Sequence, residues 1–348
     1  MSSQLYCLYR GSLGDEQVYA SQFLNSKWDP GEAMKDFHSA AGPAAAYHNG
    51  KIYVVYRGSQ GDANLYWFTI NPQVGSVSDK KAFPASQTNV GPALCEHNGT
   101  LYCVHKGNND DYLWFTTFND SANDWGPDQP FTQNNRTDCT PAIASNGHML
   151  ICVHKGSGDS NLWWCNLDGD DFTEDKQFVS GNMTAAPPAL AVRDNIFICA
   201  HRGANTDEQL YWCSYNGNNW TVDEKIRENL SNSGPALAVF GGTLYCVHIG
   251  RKAENAAAIT AAAVGGGVSR TAIGVGLATA DPPMVAVGVA AGAMSAIASI
   301  DATNGDRDNQ LYYTYMGGGS LDQVVWGSDI AFDYPCTSSD RPALAVTP

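Results

Sequence analysis

Charge is scarce in this chain and basic charge scarcer still: 16% of residues are Asp, Glu, Lys or Arg, and 20 Lys plus Arg face 35 Asp plus Glu, for a formal net charge of −15. A surface that tracks phosphates depends on basic patches, so nucleic acid is excluded as an expected partner. With so little charge beside 43% hydrophobic residues, a disordered chain is excluded as well and a globular one is predicted. The start, Met1-Ser-Ser-Gln followed by Leu5-Tyr-Cys-Leu-Tyr9, lacks the basic lead, long apolar run and small-residue cleavage site of a secretory signal. A cytoplasmic or non-classically released protein is therefore expected. The ten cysteines contain no Cys-x-x-Cys pair, which removes the usual spacing of a zinc or redox site. Neither a metal nor a cofactor is expected.

What is abundant is turn formers and aromatics, 35 Gly with 16 Tyr, 12 Phe and 9 Trp, a mixture that favours many short strands. These strands repeat. Leu5-Tyr-Cys-Leu-Tyr-Arg-Gly11 returns as Ile52-Tyr-Val-Val-Tyr-Arg-Gly58, Leu101-Tyr-Cys-Val-His-Lys-Gly107, Leu150-Ile-Cys-Val-His-Lys-Gly156, Phe197-Ile-Cys-Ala-His-Arg-Gly203 and Leu244-Tyr-Cys-Val-His-Ile-Gly250, with the glycines 47, 49, 49, 47 and 47 residues apart. Five cysteines, Cys7, Cys103, Cys152, Cys199 and Cys246, occupy one repeat position and read as free core thiols.

A Pro-Ala pair opens the preceding strand at Pro43, Pro92, Pro141, Pro188, Pro235 and Pro342, 15 residues before the glycine in all five internal cases. Joining the chain ends gives 17 residues from Pro342 to Gly11. The spacing predicts an all-β, six-bladed propeller of four-stranded blades, closed by pairing Ala343–Val346 with Leu5–Arg10, an arrangement that leaves no free sheet edge. Asn49-Gly50 and Asn98-Gly99 are expected to turn the first strand into the second. Third strands begin at Leu65, Leu113, Leu162, Leu210 and Leu311, and weak fourth strands near Trp28, Trp125, Phe172, Trp220 and Trp326.

One unit breaks the period, because Gly250 to Leu311 takes 61 residues where the other units take six or seven. The chain thus divides into a propeller, 1–250 and 305–348, and an insertion, 251–304. Within 256–300 only Arg270 and Asp281 are charged, a composition foreign to a solvated loop. Read as strands, Ile273, Val275, Leu277, Val285, Val287 and Val289 alternate with small residues. Read as helices, two stretches flank Asp281-Pro-Pro283. Either form fits packing on protein, contact with another copy or insertion into a membrane, and a flexible Gly/Ala loop is a further reading.

The strongest repeated polar signal lies at the end of the second strand. Arg10, Arg57, Lys106, Lys155 and Arg202 precede the glycines, Asp15, Asp62, Asp111, Asp159 and Asp207 follow them, and Tyr19, Tyr66, Trp114, Trp163 and Tyr211 enter the third strand. Strand alternation puts His105, His154, His201 and His248 on the face opposite the neighbouring cation, so a groove between blades combines a cation from one with His or Tyr from the next. Aromatic faces against C–H groups, with charged donors and acceptors to orient hydroxyls, suit a sugar. The same aspartates also suit turn capping, and the same aromatics suit blade core. The six Asn-x-Ser/Thr triplets, at Asn98, Asn119, Asn135, Asn182, Asn219 and Asn229, read as turn chemistry rather than glycosylation sites.

The Gly-Pro-Ala-Leu-Ala, Leu-Tyr-Cys-Val-His-Lys-Gly and Leu-Trp-Trp repeats resemble the β-propeller lectins of fungi and bacteria, the six-bladed fucose-binding type and the tectonin-like type, over about 295 residues. The resemblance implies a multivalent carbohydrate-binding protein with glycans or glycoconjugates as partners, and it makes Arg57, Asp62 and Tyr66 the nearest counterparts of an Arg, acidic and aromatic sugar site. With the insertion as a membrane or oligomer contact, a defence or toxin-like protein, or a pore-forming toxin docked by its propeller, is a wider reading. A sialidase-like glycosidase is the rival, since sialidases are also six-bladed and Ser157-x-Asp159-x-Asn161 faintly resembles their aspartate box. Near-identical clusters in five blades favour repeated binding over one unrepeated catalytic pair, whether of carboxylates or of a Tyr and a Glu.

Overall fold

The computed structural model describes residues 3–178, 181–250, 309–317, 325–334 and 336–348. The insertion positions Ile273, Val275, Leu277, Val285, Val287 and Val289 lie outside the described residues.

Six antiparallel sheets follow one another around an axis. Each runs from an inner strand outward. In blade 2 the order is Ala44–His48, Lys51–Arg57 and Asn64–Asn71, and the register Tyr56↔Tyr66 and Arg57↔Leu65 fixes which side chains share a face. Asn49 and Gly50 take φ values of 44° and 84°, as do Asn98 and Gly99 at 50° and 81°, the left-handed pair that a tight hairpin between first and second strands requires. Blade 1 is built from both chain ends: Ala343–Val346 pairs with Leu5–Arg10 through Leu5↔Val346 to Leu8↔Ala343. That inner strand sits between the inner strands Ala236–Phe240 of blade 6 and Ala44–His48 of blade 2, so the ring closes as the repeat spacing predicted.

The fourth strand differs from the expectation of one continuous strand. It is split into two short segments that both pair with the third, Lys27–Trp28 and Glu32–His38 in blade 1 for example, which gives five-stranded sheets in five blades. The break lets each segment meet a neighbouring blade. Phe83 of blade 2 stacks on Trp125 of blade 3, Phe131 on Phe172, Phe178 on Trp220 and Phe332 on Trp28, with centroids 4.1–4.8 Å apart and planes within 17°. Offset aromatic pairs of this kind add to the area they bury and lock blades at the perimeter.

Nearer the axis, a hydroxyl four residues before each strand-opening proline ties the turn between blades. The side chains of Ser39, Thr88, Thr137, Thr184, Ser231 and Ser338 donate to the carbonyls of Ala41, Val90, Cys139, Ala186, Ser233 and Asp340 at 2.6–3.2 Å, and all six are fully buried. Arg341 reaches the carbonyls of Pro141 and Pro188, 3.4 and 2.6 Å away on blades 4 and 5. Its burial lowers the guanidinium pKa, with Asp340 acting in the opposite direction. Between blades the core is apolar on both faces of every sheet, as the continuous burial of Ile52 to Tyr56 illustrates.

Candidate functional site

The second-to-third-strand loops of blades 1 to 5 lie together on one rim and follow one local plan. In blade 5 the Asp207 carboxylate accepts from the Gln209 backbone N–H at 3.0 Å and from the Tyr211 hydroxyl at 2.9 Å. Asp15 does the same with Gln17 and Tyr19, and Asp62 with Asn64 and Tyr66, at 2.8–3.0 Å. Each carboxylate lies on the repeat glycine. A Cβ on Gly58 would sit 2.6 Å from Cγ of Asp62, and one on Gly203 2.5 Å from that of Asp207, which is why this position has no side chain. The aspartates are therefore turn-capping groups that fix the third-strand aromatic. Partial burial raises the Asp62 pKa, but the bonds from Asn64 and Tyr66 together with the charge of Lys80 outweigh it and hold the group below its ordinary value.

Blade 3 corrects one assignment. Asp110, not Asp111, holds the repeat position, accepting from Tyr112 N at 3.0 Å and Trp114 Nε1 at 3.4 Å and lying against Gly107. Its loop is one residue shorter than those of blades 1, 2 and 5, so the capping aspartate comes three residues after the glycine, as Asp159 does in blade 4. Asp111 instead pairs with Lys106 at 3.1 Å and accepts from Ser157 Oγ of blade 4 at 2.6 Å. These two bonds, Ser157 first, hold its carboxyl below the usual range.

The register also separates Arg57 from Tyr66, which the resemblance had grouped. Tyr66 stacks on Tyr56 and belongs to the face packed on blade 1, whereas Arg57 shares its face with Val55 and Leu65, which pack on blade 3. The same alternation holds around the ring, so each groove is built from two blades. Arg10 faces Asp62 and Tyr66; Arg57 faces Asp110 and Trp114; Lys106 faces Asp159 and Trp163; Lys155 faces Asp207 and Tyr211; Arg202 faces Tyr312. The sixth groove places Ile249 opposite Asp15 and Tyr19. In blade 6 the Tyr312 ring covers Gly250, where a Cβ would lie 2.1 Å from it. The aromatics are partly exposed at the groove mouths.

Buried histidines form the floor, and their partners were not foreseen. Nε2 of His105, His154, His201 and His248 lies 2.9–3.1 Å from Asp128, Asp175, Asp223 and Asp329, each three residues after the fourth-strand aromatic. The preceding blade contributes a further bond: Ser86 Oγ to Asp128, Asn135 Nδ2 to Asp175 and Asn182 Nδ2 to Asp223, all at 2.6 Å. Asn135, Asn182 and Asn229, three of the six Asn-x-Ser/Thr asparagines, are buried in these seams. Blades 1 and 2 fill the seam differently, with Tyr9 beside Cys336 and Tyr56 beside Phe37. A Cβ on Gly31, the blade 1 counterpart of the aspartate, would lie 1.7 Å from the Tyr9 hydroxyl oxygen, so the phenol occupies the carboxylate's place.

With this geometry in hand, known structures identify the fold. The chain superposes on AofleA from Arthrobotrys oligospora with a TM-score of 0.56, at 10% identity over 98% of this chain and 89% of that one. It superposes on the Aleuria aurantia lectin in complex with Fucalpha1-6GlcNAc with a TM-score of 0.56, at 11% identity over 95% and 93%. The chain has the fold of that lectin. A Hadza microbial sialidase is similar at a TM-score of 0.52 and 12% identity, over 71% of this chain and 63% of that one. No protein-family model and no curated protein matches the sequence. The likeness thus rests on the ring and its blades.

Proposed function

We propose that the protein is a multivalent carbohydrate-binding protein whose sites are the grooves between blades on the rim of the second-to-third-strand loops. The observation that carries this reading is the two-blade groove: a cation from one blade faces an aromatic that an aspartate of the next blade holds in place. An aromatic face and a fixed set of donors are what a pyranose needs for packing and orientation. Repetition gives several weak sites, and avidity on a glycan-bearing surface exceeds a single site by about 100-fold or more. Similarity of fold to the Aleuria aurantia lectin supports the reading. Glycoside cleavage by a carboxylate pair needs two carboxylates flanking one bond, whereas the capping carboxylates Asp15, Asp62 and Asp207 are engaged by their own loops; a sialidase-like site would instead use a Tyr/Glu nucleophile pair, which the glycoside assay tests.

A glycan array at high protein density tests the proposal. Binding to a defined set of sugars, weakened on Trp114→Ala plus Trp163→Ala as two of the grooves lose their aromatic, supports it; no binding to any sugar, or hydrolysis of a chromogenic glycoside, counts against it. We further propose 256–300 as a contact for a membrane or a second copy, from its composition. Dye release from glycolipid vesicles and the oligomeric state, each compared with a variant in which a Gly/Ser loop replaces 256–300, test that part. Unchanged behaviour in both assays removes it.

A further inference from the structure

The five rim cations are not equivalent, and the difference is in their carboxylate partners. Arg10 pairs with Glu16 at 3.3 Å, Lys106 with Asp111 at 3.1 Å, Lys155 with Asp138 at 2.6 Å and Arg202 with Glu208 at 3.6 Å. Arg57 has no carboxylate within ion-pair distance among the described residues, and its Nε is buried without a hydrogen-bond partner. The reason lies in the sequence. The loops of blades 1, 2 and 5 have one length, Arg10-Gly-Ser-Leu-Gly-Asp-Glu16, Arg57-Gly-Ser-Gln-Gly-Asp-Ala63 and Arg202-Gly-Ala-Asn-Thr-Asp-Glu208, and the glutamate that neutralises the arginine in two of them is Ala63 in the third. The residue that supplies Lys106 and Lys155 with a side-chain acceptor, Asn89 or Asp138 three before the proline, is Ala40 ahead of blade 2. Both protein acceptors are thus missing at one groove.

A half-buried arginine with no carboxylate partner among the described residues stands out in a chain of net charge −15. Arginine's planar fork matches a carboxylate or sulfate bidentately, and it loses less hydration on binding than an ammonium. Across the groove Asp110 is engaged by Tyr112 and Trp114, and the Trp114 ring offers a face to the sugar that bears the acid. We infer that the groove between blades 2 and 3 binds an acidic saccharide, taking its carboxylate or sulfate on Arg57 and its ring on Trp114. The inference rests on the carbohydrate-binding reading and narrows it to one groove and one charge class.

The loop itself supplies the test. Ala63→Glu installs the residue that blades 1 and 5 already carry in the same loop, so the variant is expected to fold with an unchanged melting temperature while giving Arg57 an internal partner. Immobilised neutral, carboxylated and sulfated glycans are compared with the parent protein, Ala63→Glu and Arg57→Gln. Salt-sensitive binding of carboxylated or sulfated glycans is expected, falling about tenfold to a hundredfold in both variants, with binding of neutral glycans retained in Ala63→Glu. In the converse variant, Glu208→Ala, a second acid-binding groove at Arg202 is expected to raise binding of the same glycans. The two acidic sets distinguish carboxylate from sulfate as the source of charge. Unchanged acidic-glycan binding in Ala63→Glu and Arg57→Gln, or binding confined to neutral glycans, overturns the inference and leaves the carbohydrate-binding reading standing. No binding to any glycan overturns both.

Discussion

Asp175 offers the sharpest test of how the blades are joined. Its carboxylate receives His154 Nε2 from its own blade at 2.9 Å and Asn135 Nδ2 from the preceding blade at 2.6 Å, and both donors are fully buried. Asp175→Ala removes the acceptor and leaves the donors dry. An orphaned buried polar group costs about 1–3 kcal/mol, and Asn135 keeps a second bond to the Thr173 carbonyl at 3.1 Å, so a loss of about 2–4 kcal/mol is expected. Against a total stability of about 5–15 kcal/mol that shift is large. Blade 1 shows how the seam is filled without the network, by Tyr9, Gly31 and Cys336 at the corresponding positions. The triple variant His154→Tyr, Asp175→Gly, Asn135→Cys transplants that set, exchanging all the partners at once, and is expected to lie within about 1–2 kcal/mol of the parent. His154→Tyr alone should be damaging, because the phenol would enter the space that Asp175 fills. Equilibrium urea unfolding near neutral pH gives all four stabilities. Additive single-site effects, or a triple variant no more stable than Asp175→Ala, would refute the reasoning that the seam is one coupled unit.

Other consequences are simpler to check. Deleting Ala343–Pro348 removes the inner strand of blade 1 and leaves the edge of Leu5–Arg10 unpaired; a fall in melting temperature of more than about 5 °C is expected, and melting within a degree of the full chain contradicts closure through the termini. Gly203→Ala should cost about 1–3 kcal/mol in urea unfolding, since its Cβ meets Asp207, and it should weaken the hold on Tyr211. Asp62, whose folded pKa is depressed, contributes stability that is present above its unfolded pKa and is lost as pH falls through the folded value. The acid limb of a stability-against-pH curve should therefore be shallower in Asp62→Asn, and superimposable curves would contradict the assignment. Burial pushes the Cys139 thiol up to about 11 and that of Cys95 to about 12, so iodoacetamide near neutral pH should label the ten cysteines in urea and essentially none in the native protein.

The parts of this fold that were legible in the sequence are those governed by local geometry repeated six times. The Pro to Gly interval fixes the length of a hairpin, Asn-Gly supplies its positive φ values, and alternation along the strand decides that Arg57 and Tyr56 point to opposite blades. What escaped depends on contacts between units. The seam partner Asp175 lies 21 residues beyond His154, in the break between two strands too short for a pattern, and Asn135 comes from another blade altogether. The hydroxyl four residues before each proline was readable as a period, but its meaning, a buried bond closing the turn, appears only when that turn is seen. Asp110 and Asp111 are neighbours of like chemistry, and only the one-residue shortening of their loop decides which caps Trp114 and which pairs with Lys106.

These differences bear on how a repeat of this kind diversifies. The glycine, the capping aspartate and the aromatic depend on one another sterically, so where the plan is kept they must be kept together. The cation is different, because its head group finds its partner in more than one place. Its counter-charge can come from the loop, as Glu16 does, from the interblade turn, as Asp138 does, or be lost, as at Ala63, without disturbing the sheet. Charge in a groove can therefore change one blade at a time while the aromatic platform stays fixed. On the proposed reading, grooves of unequal charge would meet unequal sugars, and avidity would then favour a glycan surface on which acidic and neutral residues occur together over one that presents either alone.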